Sequence, residues 1–158
     1  MINTNIILNL DFIKEKLSTL EYLERDRIYC RHNMMHFLSV ARICYILCLE
    51  NKINIDRDLV YSAAILHDLG RIEEIKSGIR HEIASCDVAK VALEYTNFSL
   101  DDKMLILSAI KNHRTKSDEI TFESLFYKAD KLSRNCFDCM SSDVCNWSSE
   151  KKNHKITY

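Results

Sequence analysis

Proline is absent from this chain of 158 residues, and glycine occurs only twice, at Gly70 and Gly78. Folds made of many short strands need both residues in their tight turns, so this scarcity argues against an all-β protein and for helices joined by polar loops. An excess charge of one sign is also missing: Lys and Arg number 22 against 23 Asp and Glu. No global field therefore draws in nucleic acid or an anionic membrane surface, and any phosphate-binding site must be local. The longest apolar stretch, Phe37 to Leu49, is broken by Ser39 and Arg42 and is too short to span a bilayer. Met1 to Phe12 lacks a basic leader segment and reaches Asp11 early, so a signal peptide is not expected. The seven cysteines are odd in number and lack the regular spacing of a secreted disulfide scaffold. With 47% apolar and 28% charged residues, the chain reads as a single, reduced, cytoplasmic, all-α protein.

Apolar periodicity places six helices, with a seventh compatible with the pattern. The first runs from about Asp11 to Arg27. The second spans His32 to Glu50, with His36, Val40, Ile43 and Leu47 on one face. The third starts after an Asp56 N-cap and continues to Leu69, where Gly70 is expected to stop it in the left-handed conformation. A looser segment, Arg71 to Gly78, follows. The fourth helix opens near His81 and runs to Tyr95, and the fifth begins at Ser99-Leu100-Asp101-Asp102, close to a capping box. The sixth spans Thr121 to Phe137, after which the pattern fades into a polar tail.

Histidines and aspartates stand where apolar residues would be expected. His36 lies on the core-facing stripe, His67-Asp68 follows Tyr61-Ser62-Ala63-Ala64-Ile65-Leu66, and Asp130 follows Leu125-Phe126-Tyr127-Lys128-Ala129. His81 opens one helix and His113 closes another. A buried carboxylate without a partner costs several kcal/mol, so these groups need one another or a cation. Taken singly, each reads as a satisfied core histidine or a surface acid. Together, imidazole and carboxylate form a ligand set suited to Fe, Mn, Zn or Ni. Adjacent helical residues diverge by about 100°, which lets His67 and Asp68 reach one ion lodged between them.

The run Ala64-Ile65-Leu66-His67-Asp68-Leu69-Gly70-Arg71, preceded by His36 and followed by Ala129-Asp130-Lys131-Leu132, resembles the HD superfamily of metal-dependent phosphohydrolases. The resemblance covers residues 30 to 135. It implies a helical bundle in which His36, His67, Asp68 and Asp130 hold one divalent metal. His81 and His113 match the two further histidines that hold a second ion in some members, with Asp68 bridging, so two ions are expected; the mononuclear alternative leaves His81 and His113 as substrate-facing polar groups. Such a pair would generate the attacking hydroxide, with Asp68 orienting it. The ligand layout is similar to that of symmetrical diadenosine tetraphosphate hydrolases, although Arg71 stands where their motif has Lys. The cyclic-di-GMP phosphodiesterase branch is set aside, because its extra stretch contains proline.

Arg71 is the leading phosphate clamp, with Arg114 and Lys131 as further substrate-binding candidates. Glu73 and Glu74 read as exposed loop glutamates, His32 as a supporting or surface residue, and His154 as solvated. The expected organisation is a hydrolase domain over 1–135 and a cysteine-containing tail over 136–158. Within the tail, Cys136, Cys139 and Cys145 resemble part of a second metal site, one ligand short, which Cys30, His154 or a partner subunit could complete. Cys136 and Cys139 also fit as small apolar residues at the end of the sixth helix. Cys44 and Cys48 read as core, and Cys86 is open. The expected activity is phosphomonoester or phosphodiester hydrolysis of a small phosphorylated metabolite, a nucleotide foremost, without nucleic-acid or membrane partners. The alternative is a non-catalytic metal- or nucleotide-binding sensor on the same fold. The oligomeric state stays open, a homodimer included.

Overall fold

The structure, a computed structural model, describes residues 1–158 and is helical throughout. In chain order the helices are α1 (Ile2–Asn9), α2 (Asp11–Leu23), α3 (Met34–Glu50), α4 (Arg57–Leu66), α5 (Arg71–Ser77), α6 (His81–Leu93), α7 (Leu100–Asn112) and α8 (Phe122–Leu132). Two 3-10 turns, Cys136–Asp138 and Ser149–Lys151, follow. Side-chain chemistry sets the helix starts. Asn33 accepts from the His36 N–H, and Asp56 accepts from that of Asp58. Ser99 with Asp102, and Thr121 with Ser124, form capping boxes.

α4 is apolar nearly all round and sits in the middle, touching α1, α3, α6 and α7. Val60, Ala63, Ala64, Ile65 and Leu66 are fully buried there, and the two alanines let neighbouring helices approach closely. α3 packs on α4 and α8, and α6 on α7. No helix is long and apolar enough to cross a membrane.

All six helical segments read from the sequence are helices, and two more join them. α1 is held from outside: the Asp58 carboxylate accepts the N–H groups of Asn3 and Thr4 at 2.8 Å each, capping it from a residue distant in sequence. α5 replaces the looser segment, and Gly78 ends it at φ +75°.

Gly70 corrects an expectation. It is right-handed (φ −71°, ψ −6°), not left-handed. A side chain is excluded there because a Cβ would lie 2.3 Å from the Ser85 backbone nitrogen and 2.4 Å from the His81 carbonyl oxygen. The Gly70 N–H donates to Ser85 Oγ at 2.8 Å, clamping the turn after α4 onto the start of α6. The helix before it also ends earlier than expected, at Leu66, which leaves His67 and Asp68 in the turn between α4 and α5. α8 ends at Leu132, so Cys136 and Cys139 lie outside it.

Candidate metal centre

One end of the bundle gathers the start of α3, the end of α4, the start of α6, the end of α7 and the last turn of α8. His36, His67, Asp68, His81, His113 and Asp130 occupy those places, and all are buried. One donor atom each from His36, His67, Asp68 and Asp130 lies within 4.8 Å of all the others, and the same holds for Asp68, His81 and His113. Asp68 belongs to both groups through different oxygens. Its Oδ2 is 3.0 Å from His67 Nε2 and 3.4 Å from His36 Nε2, while its Oδ1 is 3.4 Å from His81 Nε2 and 3.6 Å from His113 Nε2. Thus the structure brings together all six residues read from the sequence as metal ligands.

The imidazoles are oriented from behind. His67 Nδ1–H donates to the Ala64 carbonyl at 2.7 Å and His113 Nδ1–H to that of Ile110 at 2.6 Å. His81 Nδ1–H donates to Glu74 at 2.9 Å. Ser133 Oγ gives its proton to the Asp130 carbonyl and so accepts from His36 Nδ1–H at 3.0 Å. Each ring therefore presents Nε2 inward, the orientation that outer hydrogen bonds impose on metal-binding histidines.

Chemistry at the centre fits a divalent cation. His67 Nε2 and Asp130 Oδ1 are buried without a hydrogen-bond partner. Because His67 Nδ1 carries its proton toward Ala64, Nε2 meets Asp68 Oδ2 lone pair to lone pair, and a proton or a metal must lie between them. Burial pushes His36 down to about 4, so it is a neutral donor at pH 7. Burial opposes charge on Asp68, but His67 and His32 outweigh it and hold the carboxyl well below the usual range. Burial also opposes charge on His67, yet Asp68 and Asp130 raise it above its ordinary value. The cluster as a whole calls for positive charge.

A cavity of about 260 Å³ opens over this floor. Its wall carries Arg27, Arg71, Arg114, Lys131, Arg134 and Lys152, with Tyr29 and Trp147 beside them. Arg71 donates through Nε to Glu24 at 3.1 Å and through Nη1 to Glu74 at 3.1 Å. Lys131 pairs with Asp130 at 2.5 Å, and Arg114 reaches Glu82 at 3.4 Å. Glu73 and Glu74 are partly buried on α5 rather than exposed in a loop, and Glu74 supports both His81 and Arg71. His154 is exposed and hydrogen-bonded to Ser149, as expected of a solvated residue. Cys30, Cys136, Cys139 and Cys145 line the same cavity, whereas Cys44, Cys48 and Cys86 are buried elsewhere.

His32, read from the sequence as a supporting or surface residue, is buried, donates Nδ1–H to Glu24 at 2.8 Å and points Nε2 to within 3.8 Å of Asp68. Two further residues of the site escaped the sequence. Arg134 donates to His36 Nε2 at 3.2 Å and lies 3.5 Å from Asp130. Its place four residues after Asp130, on one face of the helix that the sequence extends to Phe137, was a usable signal although the helix itself stops at Leu132. Glu24 offered none, since it comes from the end of α2.

The sequence profile of the HD domain matches residues 34–135, more than half of the chain. An uncharacterized protein of Clostridium beijerinckii is 43% identical over 135 residues, covering 85% of each chain. The fold is similar to a crystal structure described as a predicted HD superfamily hydrolase from an uncultured Thermotogales bacterium. That match has a TM-score of 0.65 and 19% identity, and it covers 95% of this chain and 79% of the other. The chain belongs to the HD domain family, a superfamily of metal-dependent phosphohydrolases, and its buried histidines and aspartates are so grouped that they could hold a divalent metal.

Proposed function

We propose that this protein is a metal-dependent phosphohydrolase whose substrate is a small nucleotide, cleaved at a phosphate ester or anhydride bond. One observation carries the reading: two buried His/Asp donor groups share Asp68 at the floor of a cavity whose wall holds six cationic side chains. Divalent ions bound there would supply Lewis acidity and the acidified water that hydrolysis needs at neutral pH.

The chain's own residues do the rest. Asp68 presents one oxygen to each donor group, so it is the residue that couples them. Glu24 and Glu74 hold the Arg71 guanidinium in place, leaving it pre-oriented for phosphate oxygens, which it can grip at two points. Arg114, partly exposed at the rim, and Lys131 add positive potential where negative charge builds in the transition state. The flat faces of Tyr29 and Trp147 on the same wall suit the stacking of a base, which favours a nucleotide over a simple sugar phosphate.

The test is turnover by full-length protein, purified without chelator, on a panel of nucleoside mono-, di- and triphosphates, dinucleoside polyphosphates and sugar phosphates, with Mn²⁺, Fe²⁺, Zn²⁺ or Ni²⁺ added. Phosphate release from nucleotides that is abolished by Asp68→Asn supports the reading. Binding without turnover across the panel overturns it in favour of a sensor.

A further inference from the structure

Nothing beyond Leu132 belongs to the hydrophobic core or packs against it. The tail is nevertheless built in an unusual way. Its large apolar side chains face out, with Phe137 at 45%, Val144 at 65% and Met140 fully exposed. Its three cysteines are partly buried, as are Ser142 and Trp147, and all of these line the catalytic cavity. A stretch that, Trp147 apart, turns its large apolar groups to solvent and its thiols inward has little apolar burial with which to order itself.

The missing partner is a loop far away in sequence. Cys30 lines the same cavity as Cys136, Cys139 and Cys145. Hydrogen bonds tie the two segments together: Tyr29 Oη donates to the Val144 carbonyl at 3.3 Å, and Arg134 donates to the Arg31 carbonyl at 3.4 Å. The backbone between the tail cysteines turns tightly, with Cys139 N–H donating to the Cys136 carbonyl and Ser142 N–H to that of Cys139. Four thiols on two joined segments match the ligand number of a thiophilic metal; their sulfurs are not gathered as closely as the donor atoms of the two His/Asp groups, and a bound metal would draw them together. Arg27 and Arg134 line the same cavity and would offset the net negative charge of a four-thiolate centre.

We propose that Cys30, Cys136, Cys139 and Cys145 form a second, separate metal centre, holding a zinc ion or an iron–sulfur cluster, that staples the tail to the loop before α3 and so builds one wall of the catalytic cavity. Ligation would supply the ordering energy that apolar burial does not, as in small domains folded around their metal. It also explains the number four: His154 is bonded to Ser149 and lies outside the cavity, so Cys30 supplies the ligand that the tail lacks. The centre shares no residue with the His/Asp groups and stands whether or not the nucleotide reading holds.

The experiment is metal and acid-labile sulfide analysis of the full chain purified without oxygen or chelator, with Cys30→Ser and Cys139→Ser beside it. Metal beyond what the His/Asp groups hold decides the form: one extra zinc per chain without sulfide identifies the ion form, and iron with matching sulfide the cluster form. That increment must be lost in both Cys variants, which keep the His/Asp ions, and must persist in His113→Ala. Where Cys139→Ser fails to fold, cobalt(II) substitution of the unaltered protein decides. Thiolate-to-cobalt absorption, which the His/Asp site does not give, supports the centre. Four thiols that react freely with an alkylating reagent in the native protein, or that pair as disulfides after anaerobic isolation, overturn it.

Discussion

His81 Nε2 and His113 Nε2 face each other across 3.1 Å, although each ring has already committed its Nδ1 proton, one to Glu74 and the other to the Ile110 carbonyl. Two lone pairs at this separation repel unless a cation lies between them and Asp68. His113→Ala should therefore remove one bound ion per chain. Activity should fall by two orders of magnitude or more, since a metal contributes several kcal/mol to the transition state. Metal stoichiometry and kcat measured on the same sample check this, with circular dichroism confirming the helices.

Gly70 offers a structural test. Its missing Cβ is what lets the turn after Asp68 touch the first turn of α6, so Gly70→Ala must push the His81 backbone away. The expected cost is about 1–3 kcal/mol, as for other overpacked sites. Affinity should drop more at the His81/His113 group than at the His36/His67/Asp130 group. Denaturant unfolding and metal titration measure the two effects.

Glu24 couples stability to pH. Burial raises its pKa, but the hydrogen bond and charge of His32, followed by Arg71, outweigh burial and bring it down to about 2 from an ordinary 4.5. The unfolded chain binds this proton more readily, so the stabilisation is complete above pH 4.5 and declines as pH falls toward 2. The gap corresponds to roughly 3 kcal/mol. Glu24→Gln should flatten that part of the stability profile and lower stability at pH 7, because Arg71 and His32 lose their buried partner.

Arg71→Ala should weaken substrate more than it slows a bound one. A charge-assisted hydrogen bond of about 1.5–3 kcal/mol implies a KM higher by roughly tenfold to a hundredfold. Arg71→Lys, which restores charge without the planar fork, should recover only part of it. Steady-state kinetics and competition by inorganic phosphate provide the comparison.

The six central donors were legible in the sequence because each breaks an apolar pattern: His36 on a buried stripe, His67-Asp68 after a run of core residues, Asp130 within α8. A polar group in such a place needs a reason, and several at once share one. The supporting residues were less visible. Glu24 and Glu74 look like surface acids, and only tertiary packing turns them onto His32, Arg71 and His81. Helix α1 was hidden for a similar reason, because its cap, Asp58, lies on another helix. Gly70 was read as a terminator from local rules, whereas a neighbouring helix fixes its identity.

The donors are dispersed from position 36 to position 130, and no two of the helices that carry them complete a coordination shell by themselves. An ion held at either group would thus need three helices docked together: α3, α4 and α8 for one, α4, α6 and α7 for the other. Any lesion that loosens a single helix, however remote from the cavity, should register first as leakage of metal, before the far-ultraviolet signature of the helices changes.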